Sequence, residues 1–109
     1  MGIASEYSRP EPSRADIDAR QGPLVLEFGT PWCGHCQAAQ PLIREALAQH
    51  PEVEHIKIED GRGRRLGRSF GVKLWPTLIF LAEGKEQARV VRPRDVEAVI
   101  EGLAQIQPE

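Results

Sequence analysis

Leu24-Val25-Leu26-Glu27-Phe28-Gly29-Thr30-Pro31-Trp32-Cys33-Gly34-His35-Cys36 decides how this chain folds and where its chemistry sits. Leu24 to Phe28 is apolar apart from Glu27 and reads as a buried strand. The chain's 2 cysteines follow at Cys33 and Cys36, where a helix expected over residues 37–49 begins. Two sulfurs on the first turn of a helix can close a small ring with each other. The unfilled backbone N–H groups of that turn favour a thiolate over a thiol. The pattern points to redox chemistry.

The chain has 109 residues, enough for one domain with a modest core, and 40% of them are hydrophobic, which excludes a disordered tail as its main content. Its net charge of −2 gives no bulk basicity toward nucleic acid or an anionic membrane, so neither is an expected partner. The longest apolar run, Leu78 to Ala82, suits a strand and not a membrane span. The N-terminal region is polar, contains Pro10 and Pro12, and does not read as a signal peptide. Glu6 also breaks the myristoylation pattern. The expected location is cytoplasmic, with a periplasmic or exported one the alternative if a signal peptide has been removed.

Working outward, Ser13 is a candidate cap for a short helix over 14–20, closed by Gly22. The helix after Cys33 is expected to bury Ala38, Leu42, Ala46 and Leu47, to bend at Pro41 and to stop at Pro51. Strands are expected over 53–58, 77–82 and 87–91, the last two joined by a turn at Glu83-Gly84-Lys85. The segment 61–70 reads as a glycine- and arginine-rich loop running into a short helix. A final helix over about 94–106 presents Val96, Val99, Ile100 and Leu103. This order implies a parallel strand pair joined to an antiparallel hairpin, with helices covering the sheet.

From Val25 to Ile100 the chain resembles the thioredoxin family. Phe28, Pro31 and Trp32-Cys33-Gly34-His35-Cys36 match the active-site segment, Pro41 the helix proline, Trp75-Pro76-Thr77 the cis-proline loop, and Gly84 the hairpin glycine. Cys-Gly-His-Cys is the pattern of protein disulfide isomerase domains. The resemblance implies an α/β thioredoxin-like fold, a central mixed β-sheet flanked by helices on both faces. Residues 1–22 are then an irregular N-terminal extension with a short helix, and 23–109 the thioredoxin-like domain.

The resemblance also implies roles. Cys33 attacks a substrate disulfide and Cys36 resolves the mixed disulfide. Trp32, Gly34 and His35 tune the pair; a protonated His35 adds positive charge between the sulfurs. Glu27 stands where the family keeps a buried acid, its pKa expected to be raised by desolvation so that it can take the Cys36 proton. Lys57 is its expected partner, or else the two form a partly exposed ion pair at a strand end. Trp75, Pro76, Thr77 and Arg92 are expected on the substrate-docking surface, the Trp75 backbone pairing with an extended substrate segment. Trp75 replaces a small aliphatic residue, and Arg92 stands where the family often has glycine.

Other patterns compete. Cys33-x2-Cys36-x13-His50-x4-His55 has the spacing of a two-cysteine, two-histidine zinc finger. Pro51, however, separates the histidines, which are expected to be surface residues, so no metal is expected. Gly61-x-Gly63-x3-Gly67 only loosely resembles a dinucleotide loop. Arg62, Arg64, Arg65 and Arg68 could attract acidic partners or phosphate, or form a solvated helix face.

The expected function is a monomeric thiol–disulfide oxidoreductase exchanging protein disulfides, with no cofactor beyond its Cys33–Cys36 pair. In the cytosol it would act as a reductase, with a thioredoxin reductase or a glutathione system as electron donor. Oxidase or isomerase action if exported, or a redox-inactive binding or co-chaperone module, are the alternatives.

Overall fold

Leu24, Leu26 and Phe28 point to one side of their strand and Val25 and Glu27 to the other, yet all five are buried. A strand buried on both faces needs helices on both, and the sheet has them. The computed structural model describes residues 2–107; residues 1, 108 and 109 of the two expected segments lie outside it.

The elements are α1 (Arg14–Asp18), β1 (Pro23–Gly29), α2 (Gly34–Ala48), β2 (Glu54–Glu59), α3 (Arg65–Ser69), β3 (Thr77–Ala82), β4 (Lys85–Val91) and α4 (Val96–Ala104). The strand order is β2-β1-β3-β4. β1 runs parallel to β2 and antiparallel to β3, and β3 and β4 form an antiparallel hairpin. The mixed sheet with helices on both faces is the architecture implied by the resemblance.

Two cores divide at the sheet. On one face Val25, Leu78 and Phe80 meet Ile43 and Leu47 of α2 and Val99 and Leu103 of α4. On the other, Leu26, Phe28 and Ile79 meet Ile17 of α1 and Leu66 and Phe70 around α3. Glu27 shares the parity of Val25, so the pleat directs it under α2.

α1 ends at Asp18, earlier than expected, but Ser13 caps it in a full capping box with Asp16. The buried face of α2 is Cys36, Ala39, Ile43, Ala46 and Leu47. Ala38, expected inside, is exposed and Leu42 is only half-buried. The helix is phased by Cys36 and Ile43, and small alanines carried little information about that phase.

In place of a first strand, the N-terminal segment lays Tyr7 beside Lys57 in a single parallel bridge, Ser8 N–H donating to the Lys57 carbonyl at 2.8 Å. At the hairpin turn Glu83 and Gly84 both have positive φ, 52° and 77°, as a type I′ turn requires. A Cβ on Gly84 would meet the backbone of Asp18 at the end of α1. Gly84→Ala is therefore expected to lower stability by about 2–4 kcal/mol through left-handed strain and overpacking together. Urea unfolding checks this, an unchanged midpoint contradicting it.

Candidate active site

Gly29 ends β1, and the chain turns through Thr30-Pro31-Trp32 into α2. Cys33 is the helix N-cap, and its Sγ accepts the Cys36 backbone N–H at 3.2 Å. That donor supports negative charge on the sulfur during thiol exchange. Cys33 is 7% and Cys36 2% exposed, so the second sulfur is the deeper one. A Cβ on Gly29 would lie 2.5 Å from Cys36 Sγ, so the glycine makes room for that sulfur.

The Cys36 thiol is pushed up to about 12, by burial first and then by the neighbouring Cys33 sulfur; a hydrogen bond from the Thr30 backbone opposes the shift. Cys36 therefore stays protonated while Cys33 is a free thiol or thiolate.

Beneath the pair lies a chain of polar groups. Glu27 Oε1 is 2.8 Å from His55 Nε2, and Glu27 Oε2 accepts from Gln40 Nε2 at 2.7 Å. Gln40 also donates to the Cys36 carbonyl at 3.0 Å, and its Oε1 accepts from Lys57 Nζ at 3.2 Å. The Ala4 N–H donates to His55 Nδ1 at 3.0 Å. Nδ1 is thus an acceptor, and Nε2 is left to donate to Glu27.

Three expectations change here. Glu27's direct partner is His55; Lys57 reaches it only through Gln40. His55, expected at the surface, is 5% exposed, and Lys57, at 7%, is no exposed strand-end pair. Burial alone would raise the Glu27 pKa, but the hydrogen bond and charge interaction with His55, the hydrogen bond from Gln40 and the Lys57 charge outweigh it, leaving the pKa below the ordinary value and not above it.

His55 and Gln40 escaped the sequence reading, as did Tyr7. The pleat could have flagged His55, because it shares Lys57's parity and, paired with Val25 as Lys57 is with Glu27, it shares their face of the sheet. Tyr7 lies over Lys57, with Nζ 4.8 Å from the ring centroid. Its phenol is pushed well above its ordinary range, first by burial and then by Cys36 and Glu27. A cavity of about 570 Å³ between this N-terminal segment and α2 runs in to Cys36, lined by Tyr7, Thr30, Gln40 and Lys57.

On the other side of the sulfurs, the Trp75–Pro76 bond is cis. Trp32, 70% exposed, meets Trp75 edge-on at 5.8 Å between ring centroids, and Trp75 Nε1 donates to Asp60 Oδ2 at 2.9 Å. Both tryptophans therefore flank the dithiol. Thr77 departs from expectation: it is 1% exposed and its hydroxyl donates to the Leu74 carbonyl at 2.6 Å, so its side chain is turned away from any docking surface. Of the Trp75 backbone, expected to pair with substrate, the carbonyl accepts from Arg92 Nε at 2.8 Å. Arg92 has φ 51°, which accounts for glycine being common there in the resembled pattern. His35 and Arg92 line a groove of about 410 Å³ together with Ala38 and Leu42. Gly34 is exposed, with open space where a side chain would project.

The zinc-finger spacing does not converge: His55 is committed to Glu27, and His50 faces Glu52 at 3.4 Å. Among the described residues no cluster of three or more histidine, cysteine or acidic side chains is arranged to hold a metal ion. Among them, too, no helix is long and apolar enough to cross a membrane.

The family model described as Thioredoxin matches residues 8–105. Protein disulfide-isomerase A2 of Homo sapiens is 37% identical over 86 residues, covering 73% of this chain but only 16% of that longer protein. The thioredoxin of Chlamydia muridarum is 30% identical over 86 residues, 79% of this chain and 84% of that one. The structure of reduced thioredoxin 2 from Pseudomonas aeruginosa PAO1 superposes with a TM-score of 0.84 at 55% identity, covering 94% of each chain. With a dithiol at the start of a helix, a cis-proline loop beside it and these likenesses, the chain belongs to the thioredoxin family of thiol–disulfide oxidoreductases.

Proposed function

We propose that this protein reduces disulfides of other proteins in the cytoplasm as a monomer, drawing electrons from a thioredoxin reductase or a glutathione system. The observation that carries the reading is the unequal pair of sulfurs: Cys33 at the helix cap with a backbone donor, Cys36 buried and held as a thiol. The likeness to thioredoxin 2 along 94% of the chain supports the reductive direction.

In this reading the Cys33 thiolate attacks one sulfur of the substrate disulfide; that bond breaks, a Cys33–substrate disulfide forms, and the departing thiolate is protonated. The effects of Cys33 that raise the Cys36 pKa end once Cys33 is in the mixed disulfide, so Cys36 becomes easier to ionise only after the first step. Its proton passes to the Glu27 carboxylate, whose oxygens also accept from His55 and Gln40. The depressed proton affinity of Glu27 means that it passes the proton on without storing it. Cys36 then attacks Cys33 Sγ, closing the internal disulfide and releasing the substrate as a dithiol. Lys57 balances the Glu27 charge through Gln40. Trp32, Gly34 and His35 shape the mouth of the site, and Trp75, Pro76 and Arg92 border the substrate path.

A second reading, oxidase or isomerase action in an exported protein, is favoured by the Gly34-His35 pair and the 37% identity to a protein disulfide-isomerase. Both share the first step. Cys36→Ser mixed with a disulfide-containing protein is expected to accumulate a covalent adduct at Cys33, located by mass spectrometry of its peptides. An adduct at no cysteine, in a correctly folded variant, overturns the proposal.

A further inference from the structure

Residues 61–73 carry Arg62, Arg64, Arg65, Arg68 and Lys73 and no acidic residue, in a chain whose net charge is −2. All five side chains are exposed. Among the described residues only Arg64 of the five makes an ion pair, 3.6 Å from Glu59. The remainder of the chain is correspondingly acidic, so the molecule is strongly polarised.

The charge is gathered at one place. Arg62, Arg64, Arg68 and Lys73 line an open cleft of about 390 Å³ whose walls include Asp60 and Trp75. Among the described residues Asp60 is the one acid lining the cleft, and it is already engaged: Oδ2 accepts from Trp75, and its carboxylate is packed against Gly67, where a Cβ would collide with it.

The topology sets this cleft beside the redox pair. β1 and β2 are parallel, so the loops leaving their C-terminal ends are neighbours, and the Asp60 N–H donates to the Gly29 carbonyl at 2.9 Å. Trp75 closes the cleft with one edge and touches Trp32, the residue before Cys33, with its ring. A chain crossing Trp75 would have its disulfide at Cys33 and its flanking residues among the arginines.

We propose that this cleft docks an acidic segment of the proteins whose disulfides react at Cys33, and so selects substrates bearing Asp or Glu beside the reactive disulfide. The inference rests on the dithiol reading above. Exposed guanidinium groups offer forked donors suited to carboxylates, and a concentrated patch raises encounter rates by about 10- to 1,000-fold at low salt. A protein segment fits better than a nucleic acid, because the acidic remainder of the surface repels a long polyanion while a short acidic stretch meets only the cleft.

The test uses three disulfide peptides of one core sequence, flanked by Asp/Glu, by Ser/Gly or by Lys/Arg, reduced by the full chain at low and high ionic strength. The acidic peptide is expected to show a kcat/KM about tenfold above the neutral one at low salt, and the basic peptide to fall below both. High salt or the pair Arg62→Glu/Arg68→Glu should bring the acidic-to-neutral ratio to about one or lower, and Arg62→Gln/Arg68→Gln to an intermediate value. Equal reduction of all three peptides, or a ratio untouched by charge reversal, overturns the proposal. So does a single-stranded oligonucleotide that competes better than the acidic peptide.

A cysteine-free acidic peptide titrated into Cys33→Ser/Cys36→Ser protein gives an independent readout by NMR. Salt-sensitive shifts within 61–73 support the docking surface even if no peptide is reduced, in which case the dithiol reading alone fails. Absence of those shifts at low salt overturns the docking surface even if reduction proceeds.

Discussion

Replacing Cys33 with serine is expected to abolish disulfide reduction, lowering kcat/KM on the order of a thousandfold or more, because no other group on the docking side can form the first mixed disulfide. Serine keeps the N-cap role, since its oxygen accepts the Cys36 N–H as the sulfur does. The fold should therefore persist, and lost activity will report lost chemistry. Cys36→Ser should fail differently, by stalling as the covalent adduct after one attack. The asymmetry follows from position: Cys33 holds the cap and Cys36 is 2% exposed behind it. Turnover in an insulin-type reduction assay and adduct formation, measured on both variants, separate the roles. A Cys33→Ser protein that still turns over substrate would refute the assignment.

Glu27→Ala should be the most damaging substitution away from the sulfurs. It strips partners from His55 Nε2 and Gln40 Nε2 and leaves Lys57 without its compensating charge, all in a buried place. Removing one member of such an arrangement costs about 3–5 kcal/mol. Glu27→Gln is the sharper probe, because it keeps the shape and removes only the charge and the proton-accepting oxygen. It should slow closure of the internal disulfide by about 10²-fold while leaving the first attack largely intact, so that mixed disulfide accumulates. Unaltered closure kinetics in Glu27→Gln would remove this residue from the proton path.

The same carboxylate predicts an acid limb in stability. Its folded pKa lies below the ordinary 4.5, so between the two values the unfolded chain binds more protons than the native one. The contribution is fully present above about pH 4.5 and is lost as the pH falls through the folded value. Glu27→Gln should flatten that limb, as read from urea midpoints against pH.

Much of this was legible in the residues. Thr77–Ala82 is a strand with the bounds its apolar run implied, and Leu24–Phe28 lies within β1, because a strand buried on both faces leaves an unbroken apolar signature. Ser13 announced its helix because a cap is local chemistry. The dithiol and the Trp75-Pro76 loop were legible through their resemblance to a family.

The parts that were not legible depend on contacts distant in sequence. His55 sits in Glu54-His55-Ile56-Lys57, which alternates like a half-solvated strand. Only the arrival of Glu27 on the neighbouring strand and Ala4 from the N-terminal segment makes it an interior residue. The role of Gln40 depends on the phase of α2, which the alanines did not report. The pKa direction of Glu27 was hidden for the same reason: its burial is readable from the strand, but not the contacts with His55 and Gln40 that help to outweigh it. Arg92 occupies the Trp75 carbonyl because its own backbone turns left-handed, a conformation its side-chain type does not advertise.

The most direct test equilibrates the protein with glutathione buffers of graded ratio, quenches and alkylates it, and weighs the product. One two-electron transition is expected between a doubly alkylated form and an unalkylated form two hydrogens lighter than the dithiol, with its bridge mapped to Cys33 and Cys36. Protein that takes up two alkyl groups at every ratio, or is oxidised only to dimers or glutathione adducts, would contradict it.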